Sequence, residues 1–241
     1  MTAPFSPDML RGRAIHVVGQ GSLGGPIADN LFRKQVPELH LWDFDRVESR
    51  NRFNQRVFAE DVGKSKVVVR ERILRDIYPE SVTKLVLHQE RLVAGTKLSG
   101  IVIAAVDWNR IRYEEVWPCV KASLDVSFFA DGRVGMDGGK AYGLDPNNEY
   151  QILRYEDPIH NHPDPEHGER DAACKSEFPM PENAEVVAAE VLWRLTRWLN
   201  LERGSEDPYD NFVGWQYAPL KSVVTEQWDG DTAYAMFQMT K

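Results

Sequence analysis

Short apolar runs alternate with amphipathic segments over the first half of the chain. Four runs have the length of buried strands, and the segments between several of them carry apolar residues at helical spacing. The predicted strands cover 14–18, 39–42, 82–88 and 100–106, and the predicted helices cover 26–34, 64–77 and 110–122. Pro118 is expected to bend or divide the last helix. Strands that alternate with helices are typical of an α/β fold with a parallel sheet.

The second half of the chain has a different pattern. Residues 124–142 combine alternating apolar runs with four glycines, which predicts antiparallel strands joined by turns. Residues 156–182 are rich in Pro, His, Asp and Glu and lack apolar periodicity, so they are predicted to form a long loop. Residues 182–200 carry apolar side chains at helical spacing and predict an amphipathic helix. The aromatic-rich tail predicts one or two further strands.

Composition narrows the class of protein. The 241 residues are 42% hydrophobic and 27% charged, an ordinary balance for a soluble domain. No apolar run approaches the roughly 20 residues that a membrane helix needs, and the N-terminal segment lacks the apolar core of a signal peptide, so we expect a cytoplasmic protein. A net charge of −8 argues against a nucleic-acid-binding module.

Cys119 and Cys174 are the two cysteines of the sequence. With two cysteines, the chain is not expected to be a protein whose fold is held together by disulfides. No C-x-x-C pair is present to bind zinc. Cys119 falls in a predicted helix, where we expect it to be buried and inert. Three histidines accompany Cys174 in the long loop, but their spacing fits no zinc pattern, so we interpret them as a solvated His-rich loop.

A glycine-rich turn follows the first predicted strand in the segment AIHVVGQGSLGG. Gly19 permits a tight turn, Gly21 lets a phosphate approach the backbone, and Gly24 lets helix and strand pack closely. The following helix start offers free N–H groups and the positive end of its dipole to an anion. Asp43 ends the second strand 19 residues after Gly24, close to the spacing at which an acid reaches a nucleotide ribose. These features favour a nucleotide-binding loop over a purely structural glycine turn.

Four segments in order, GQGSLGG, WDFDRVESRNRFNQ, EDVGKSK and AAVDWNRIR, resemble the ThiF-type family of adenylyltransferases, which is similar to ubiquitin-activating enzymes. The resemblance covers residues 14–112. It implies a Rossmann-like α/β fold with a mixed sheet, parallel in its N-terminal half and antiparallel in its C-terminal strands, flanked by helices. It also implies a single domain over 1–241, with a nucleotide-binding half at 13–112 and a carrier-binding half at 123–241 that contains a crossover loop at 156–182.

The resemblance further implies ligands and partners. Such proteins bind ATP with Mg²⁺ and adenylate the C-terminal glycine carboxylate of a ubiquitin-like or sulfur-carrier protein. A homodimer is the expected assembly, and neither a membrane nor a nucleic acid is an expected partner.

Each matching residue has a role that the resemblance implies. Asp43, with Asp45 close behind it, would accept hydrogen bonds from the ribose hydroxyls, although strand-end carboxylates also cap loop N–H groups. Asn51 would contact the phosphates, and Gln55 matches the glutamine of the family's Arg-Gln pair. Asn54 replaces the arginine of that pair.

Arg52 or Arg56 could supply the guanidinium that is missing at Asn54, or both could belong to a solvated surface run. Lys66 matches the family lysine, whose fixed charge would stabilise the transition state at the α-phosphate. Asp107 matches the magnesium-binding aspartate, with a helix cap as its alternative role. Arg112 matches a family arginine that we interpret as structural.

Cys174 lies where ThiF-type proteins carry a thioester or persulfide cysteine. Arg170 and Lys175 lie nearby in the sequence and would favour the thiolate, while a small apolar loop residue is an equal alternative.

Three other functions stay open at this point. The chain could adenylate a different group, such as another peptide carboxylate or a tRNA base. It could be an NAD-dependent oxidoreductase, although hydride transfer needs neither Lys66 nor Asp107. It could also be a catalytically inactive family member, which the substitution at Asn54 would suit.

Overall fold

The structure is a computed structural model that describes residues 5–135, 138–157, 181–206, 209–216, 222–228 and the backbone of 235–239. Within these residues, nine strands form one sheet in the order β3-β2-β1-β4-β5-β6-β7-β8-β9. The strands are β1 Ile15–Val18, β2 Glu38–Trp42, β3 Lys84–His88, β4 Gly100–Ala104, β5 Val126–Val134, β6 Gly138–Leu144, β7 Phe212–Gln216, β8 Ser222–Glu226 and β9 Ala235–Met239.

The sheet is mixed, as the sequence predicts. Strands β3, β2, β1, β4 and β5 pair in parallel, and every pair from β5 to β9 is antiparallel. All five residues of β4 are buried, in agreement with the uninterrupted apolar run GIVIA. The tail contributes three strands rather than the one or two that its aromatic content predicts.

Helices cover both faces of the sheet. They are α1 Gly24–Arg33, α2 Lys66–Ile77, α3 (a continuous run of Asn109–Ile111, the π-helical turn Arg112–Val116 and Trp117–Lys121), α4 Glu149–Glu156 and α5 Pro181–Leu201. Helices α1, α2 and α5 pack in one hydrophobic core, and α3 and α4 pack in a second core against the opposite face. Short 3₁₀ turns lie at Pro7–Leu10, Ser49–Phe53 and Ala59–Asp61.

The sequence predicts that Pro118 bends or divides its helix; the helix continues past it, and its regular α-helical pattern is interrupted in the turn before it. Pro118 occupies the first turn of Trp117–Lys121, directly after the π-helical turn Arg112–Val116. Proline lacks an N–H donor and is tolerated where the regular i→i−4 pattern is already interrupted. The helix therefore continues to Lys121.

Helix α4 was not predicted from the sequence. It is short, and it begins where the Asn148 side chain accepts a hydrogen bond from the Gln151 backbone N–H. Cys119 is buried, as expected, and its Sγ contacts the Val93 carbonyl oxygen at 3.2 Å. Cys174 and the histidine-rich segment lie outside the described residues, so their predicted roles remain predictions.

Candidate active site

A cavity of about 750 Å³ opens at the carboxyl ends of β1, β2 and β4. Strands β2 and β4 lie on opposite sides of β1, so the chain reverses its direction of travel across the sheet at this point. Ligands of open α/β sheets bind at such a switch point. The cavity is lined by most of the residues that the sequence singles out, namely Gly19, Gly21, Asp43, Asp45, Asn51, Gln55, Lys66 and Asp107.

The three glycines of the loop have different surroundings. Gly19 has a positive φ of 95°, and a Cβ atom there would collide with the Ala105 carbonyl oxygen. A Cβ atom at Gly24 would overlap the Gly19 carbonyl oxygen. At Gly21 the nearest atom to an added Cβ would be Gln55 Nε2 at 3.8 Å. Packing therefore requires Gly19 and Gly24, whereas Gly21 borders open space in the cavity.

Asp43 lies at the end of β2 and is 8% exposed. Its Oδ2 accepts a hydrogen bond from the Gln20 N–H at 2.7 Å, and its Oδ1 accepts one from the Asp45 N–H at 2.8 Å. Burial raises the pKa of Asp43, and the positive charge of Lys66 partly offsets this effect. Asp43 thus caps loop N–H groups, and each carboxylate oxygen retains a second lone pair for another donor.

Lys66 is the first residue of α2, and its side chain is only 11% exposed. Its Nζ lies 2.9 Å from Asp45 Oδ2. Burial lowers the pKa of Lys66, but the charges of Asp43, Asp45 and Asp107 outweigh burial, so the net shift is upward. The ammonium group therefore stays protonated at neutral pH, within the electrostatic influence of three acidic residues.

Backbone hydrogen bonds bring Lys66 to the end of the sheet. Lys66 N–H donates to the Asp45 carbonyl at 3.0 Å, and the Val47 N–H donates to the Lys64 carbonyl at 2.8 Å. Gly63 N–H donates to the Val47 carbonyl at 2.8 Å and has a positive φ of 88°. The segment DVGKSK thus pairs with the chain that follows Asp43, which fixes the start of α2 beside the acidic residues.

Asp107 follows β4 in a turn that Arg112 stabilises. Arg112 donates from Nη2 to the Val106 carbonyl at 2.6 Å and from Nη1 to Asn109 Oδ1 at 2.8 Å. Arg112 is itself buried and bonded to Asp131. This arrangement agrees with the structural role that the sequence suggests for Arg112.

Asn51, Asn54 and Gln55 form a second polar wall. Asn51 Oδ1 accepts a hydrogen bond from the Glu48 N–H at 2.8 Å. In the described part of the chain, the buried amide oxygens of Asn54 and Gln55 have no hydrogen-bond partner. Buried polar atoms are rarely left in that state, so these two amides indicate a place for a polar ligand or water.

The two arginines proposed to replace the one missing at Asn54 do not line the cavity. Arg52 is exposed, and Arg56 pairs with Asp29 at 3.0 Å and with Glu185 at 2.7 Å. Arg50 lines the cavity instead, with its Nε 2.6 Å from Glu48 Oε2. Arg50 lies directly before Asn51 in the 3₁₀ turn Ser49–Phe53, and the sequence does not reveal which way each arginine of such a turn points.

Apolar side chains also line the cavity, and they were not predicted from the sequence. Trp42, Leu92, Ile111 and Val116 are among them. The guanidinium carbon of Arg91 lies 3.9 Å above the Phe44 ring, and Arg91 Nη1 lies 3.0 Å from Glu115 Oε1. A cavity lined by both apolar and charged side chains suits a ligand that carries both an aromatic base and phosphates.

Comparison with known proteins identifies the family. The model of the ThiF family matches residues 7–138, more than half of the chain. The chain belongs to the ThiF family. The match includes the glycine loop, β2 and its acidic residues, the start of α2 and the end of β4.

Relatives in sequence are similar over a shorter stretch. Ubiquitin-like modifier-activating enzyme 5 of Drosophila ananassae is 39% identical over 74 residues, which is 30% of this chain and 18% of that protein. The same enzyme of Drosophila mojavensis is 38% identical over 76 residues, 31% of this chain and 19% of that protein. The chain thus matches less than a fifth of these relatives.

Solved structures share the fold over nearly the whole chain. E. coli MccB, solved with ATP, superposes with a TM-score of 0.60 at 17% identity, over 97% of this chain and 65% of MccB. PaaA superposes with a TM-score of 0.65 at 14% identity, over 97% of this chain and 67% of PaaA. At these identities the likeness shows the fold alone.

Two further findings concern the described residues. No helix among them is long and apolar enough to cross a membrane. No group of three or more His, Cys, Asp or Glu side chains in that part of the chain converges as a metal site.

Proposed function

We propose that this chain adenylates the C-terminal glycine carboxylate of a ubiquitin-like or sulfur-carrier protein with ATP. The observation that carries the proposal is the protonated Lys66 ammonium among Asp43, Asp45 and Asp107, beside the glycine loop. An ammonium fixed by acidic neighbours supports reactions that build negative charge on phosphate oxygens.

The residues of the cavity fit ATP with Mg²⁺. Gly21 leaves space for a phosphate, and the amides of Asn54 and Gln55 offer polar groups for a ligand. The carboxylate of Asp107 is an oxygen donor of the kind that Mg²⁺ prefers, and Mg²⁺ is often bound by only one or two carboxylates together with water and phosphate oxygens. When bound, Mg²⁺ would neutralise charge on the phosphates.

The proposed reaction has a simple balance. An oxygen of the carrier carboxylate attacks the α-phosphorus of ATP, the bond from that phosphorus to the bridging oxygen breaks, and pyrophosphate leaves with the electron pair. The product is an acyl-adenylate. Lys66 would stabilise the charge that develops on the phosphate oxygens, and Asp43 would accept a hydrogen bond from the ribose.

Two likenesses support a polypeptide as the acyl substrate. The sequence relatives are ubiquitin-like modifier-activating enzymes, and the fold relative MccB has been solved with ATP and with MccA. A carboxylate of another peptide is therefore the second candidate substrate. The proposal also includes a homodimer and thioester capture of the carrier on Cys174.

Calorimetry with nucleotides tests the enzyme class. ATP with Mg²⁺ is expected to bind and NAD is not, because phosphoryl transfer makes use of a lysine paired with a metal-binding aspartate, as Lys66 and Asp107 would be, whereas hydride transfer needs neither. Carrier-dependent exchange of labelled pyrophosphate into ATP then tests the reaction. Tight binding of NAD without binding of ATP would favour an oxidoreductase instead.

Replacing Gly21 with alanine is expected to weaken ATP binding about tenfold, or ~1.4 kcal/mol, with little effect on folding. The added Cβ has room in the free protein, with its nearest neighbour at 3.8 Å, but it would point into the space proposed for phosphate. Calorimetry gives the affinity and thermal unfolding gives the stability. Gly24→Ala is the matched control, since its Cβ would overlap the Gly19 carbonyl and should lower the melting temperature instead. Unchanged affinity in Gly21→Ala would contradict the phosphate position.

Replacing Asp107 with asparagine is expected to raise the Mg²⁺ concentration needed for half-maximal exchange by roughly tenfold. The amide keeps the shape of the side chain but loses the charge that a hard cation favours. A magnesium titration of the exchange rate measures this effect. Asp125→Asn, an aspartate that does not line the cavity, provides a control for charge alone. An Asp107→Asn titration identical to that of the wild type would exclude Asp107 as the ligand.

A further inference from the structure

One face of the sheet below the cavity carries histidines at positions where apolar residues are usual. His16, His40 and His88 come from the adjacent parallel strands β1, β2 and β3. The ring centroids of His16 and His40 lie 4.2 Å apart, and those of His40 and His88 lie 5.2 Å apart. Placing polar rings on buried strands costs free energy unless they make specific bonds. The hydrogen bonds and ring contacts of this row of three histidines therefore indicate its role.

The partner that two of them share is Trp42. Trp42 Nε1 donates a hydrogen bond to His16 Nδ1 at 3.1 Å. The His88 ring stacks on the Trp42 ring with centroids 3.5 Å apart and an interplanar angle of 2°. Trp42 lines the cavity and is 6% exposed. The indole is thus held both at its N–H and on one ring face.

The third histidine, His40, lies between Glu38 and His88. His40 Nε2 lies 2.9 Å from Glu38 Oε1, and because a carboxylate only accepts, this nitrogen carries the proton. The other ring nitrogen of His40, Nδ1, lies 3.0 Å from His88 Nε2. Burial lowers the pKa of His16 to about 3, so His16 Nδ1 stays available as an acceptor for Trp42.

The Trp42 backbone joins the two parts of the site that flank it. Its carbonyl accepts a hydrogen bond from the Gly19 N–H at 2.8 Å, and the next residue, Asp43, donates its N–H to the His88 carbonyl at 3.1 Å. The residue that carries the indole is therefore bonded to the glycine loop and adjacent to Asp43.

We propose that His16 and His88 are positioning residues of the nucleotide cavity, and that they hold the Trp42 indole as a fixed wall for the nucleoside end of the ligand. The inference rests on the proposed function, because it takes a nucleotide as the occupant of the cavity. A wall that is fixed before binding lowers the ordering cost of binding. Neither histidine lines the cavity, so both would act only through Trp42.

Mg²⁺-ATP titrations of matched variants test this coupling. His16→Leu removes the acceptor and leaves a buried indole N–H without a partner, so affinity is expected to fall roughly five- to tenfold. His16→Asn keeps an acceptor at the position of Nδ1 and is expected to retain most of the wild-type affinity. In a Trp42→Phe background, which has no N–H donor, His16→Leu should cause no further loss. His88→Ala is expected to weaken binding, and His88→Phe, which keeps a flat ring, to restore it.

Indole ¹⁵N–¹H spectra give a readout that separates position from stability. The Trp42 resonance is assigned by its absence in Trp42→Phe. It is expected to shift in His16→Leu without ligand, and to shift in the wild type when Mg²⁺-ATP is added. If His16→Leu fails to fold, the His88→Ala and His88→Phe pair carries the test.

The outcomes distinguish the two proposals. In one outcome, the wild type binds Mg²⁺-ATP and the folded His16→Leu and His88→Ala variants bind it with the same affinity as the wild type. That result would overturn the positioning role and leave the proposed function standing. The positioning role would also be overturned if His16→Leu lowered the affinity for Mg²⁺-ATP by the same factor in the wild-type and Trp42→Phe backgrounds. A wild type that does not bind Mg²⁺-ATP overturns the proposed function, and the positioning role with it.

Discussion

Replacing Lys66 with alanine is expected to lower carrier-dependent ATP–pyrophosphate exchange by about a hundredfold or more, the usual effect of losing one preorganised charge at a transition state. The Lys66 Nζ lies 2.9 Å from Asp45 Oδ2, and the negative charges of Asp43 and Asp107 also stabilise the ammonium. Its removal would also leave the negative charges of Asp45 and Asp107 uncompensated by the ammonium, so repulsion of a bound phosphate would add to the lost attraction.

Lys64→Ala is the matched control for this experiment. Lys64 is two residues away in the same segment, but its Nζ is 3.4 Å from Asp61, and its side chain is half exposed outside the cavity. Exchange should therefore stay near the wild-type rate in Lys64→Ala. The proposed role of Lys66 would be ruled out if Lys66→Ala folded normally and exchanged pyrophosphate at the wild-type rate. The carrier used must be one that supports exchange by the wild type.

Local motifs account for the parts of the site that could be predicted from sequence. The glycine loop and Asp43 follow directly after strands, Lys66 is the first residue of a helix, and Asp107 lies three residues after the end of β4. Once the apolar runs predict those elements, the parallel sheet brings their ends together. The strand-end positions of the glycine loop, Asp43 and Asp107 thus follow from the predicted strands, whereas Lys66 was assigned to the site through the family resemblance.

Side-chain direction in irregular segments could not be predicted in the same way. Residues 46–58 form short 3₁₀ turns and loops without a repeating period, so the choice among Arg50, Arg52 and Arg56 depends on three-dimensional packing. Arg56 forms ion pairs with Asp29 and Glu185, which are distant in sequence. Arg50 is the arginine of the three that lines the cavity. Helix α4 was missed because eight residues carry too little periodicity to distinguish helix from loop.

Contacts between strands were also hidden in the sequence. His16 and Trp42 are 26 residues apart, and they meet because β1 pairs with β2 in a register that sets Val18 opposite Trp42. His88 stacks on Trp42 because β3 pairs with β2 on its other side. Such contacts depend on strand order and register, which apolar periodicity does not specify.

Replacing Asp131 with asparagine is expected to lower the free energy of unfolding by about 3–5 kcal/mol, the usual cost of breaking a buried ion pair from one side. Asp131 is fully buried in β5. Its Oδ1 accepts from Arg112 Nε at 2.6 Å, and its Oδ2 accepts from Arg133 Nε at 2.8 Å and from the Tyr155 hydroxyl at 2.9 Å. An amide at this position would leave two guanidinium groups, the buried one of Arg112 and the half-buried one of Arg133, without the carboxylate that they share.

Chemical denaturation followed by circular dichroism measures this loss. Tyr155→Phe is the matched control, because it removes one hydrogen bond to the same carboxylate and keeps the aromatic ring in place, so it should cost only about 1 kcal/mol. Asp131→Asn that costs no more than Tyr155→Phe would contradict the ion-pair argument.

The same substitution connects stability to the site. Arg112 bonds Asp131 on one side and the Val106 carbonyl on the other, and Asp107 is the next residue along the chain. Loss of the carboxylate would loosen that turn, so any Asp131→Asn protein that remains folded should also need more Mg²⁺ for exchange. Tyr155→Phe, which leaves both Arg112 bonds intact, should keep the wild-type Mg²⁺ requirement.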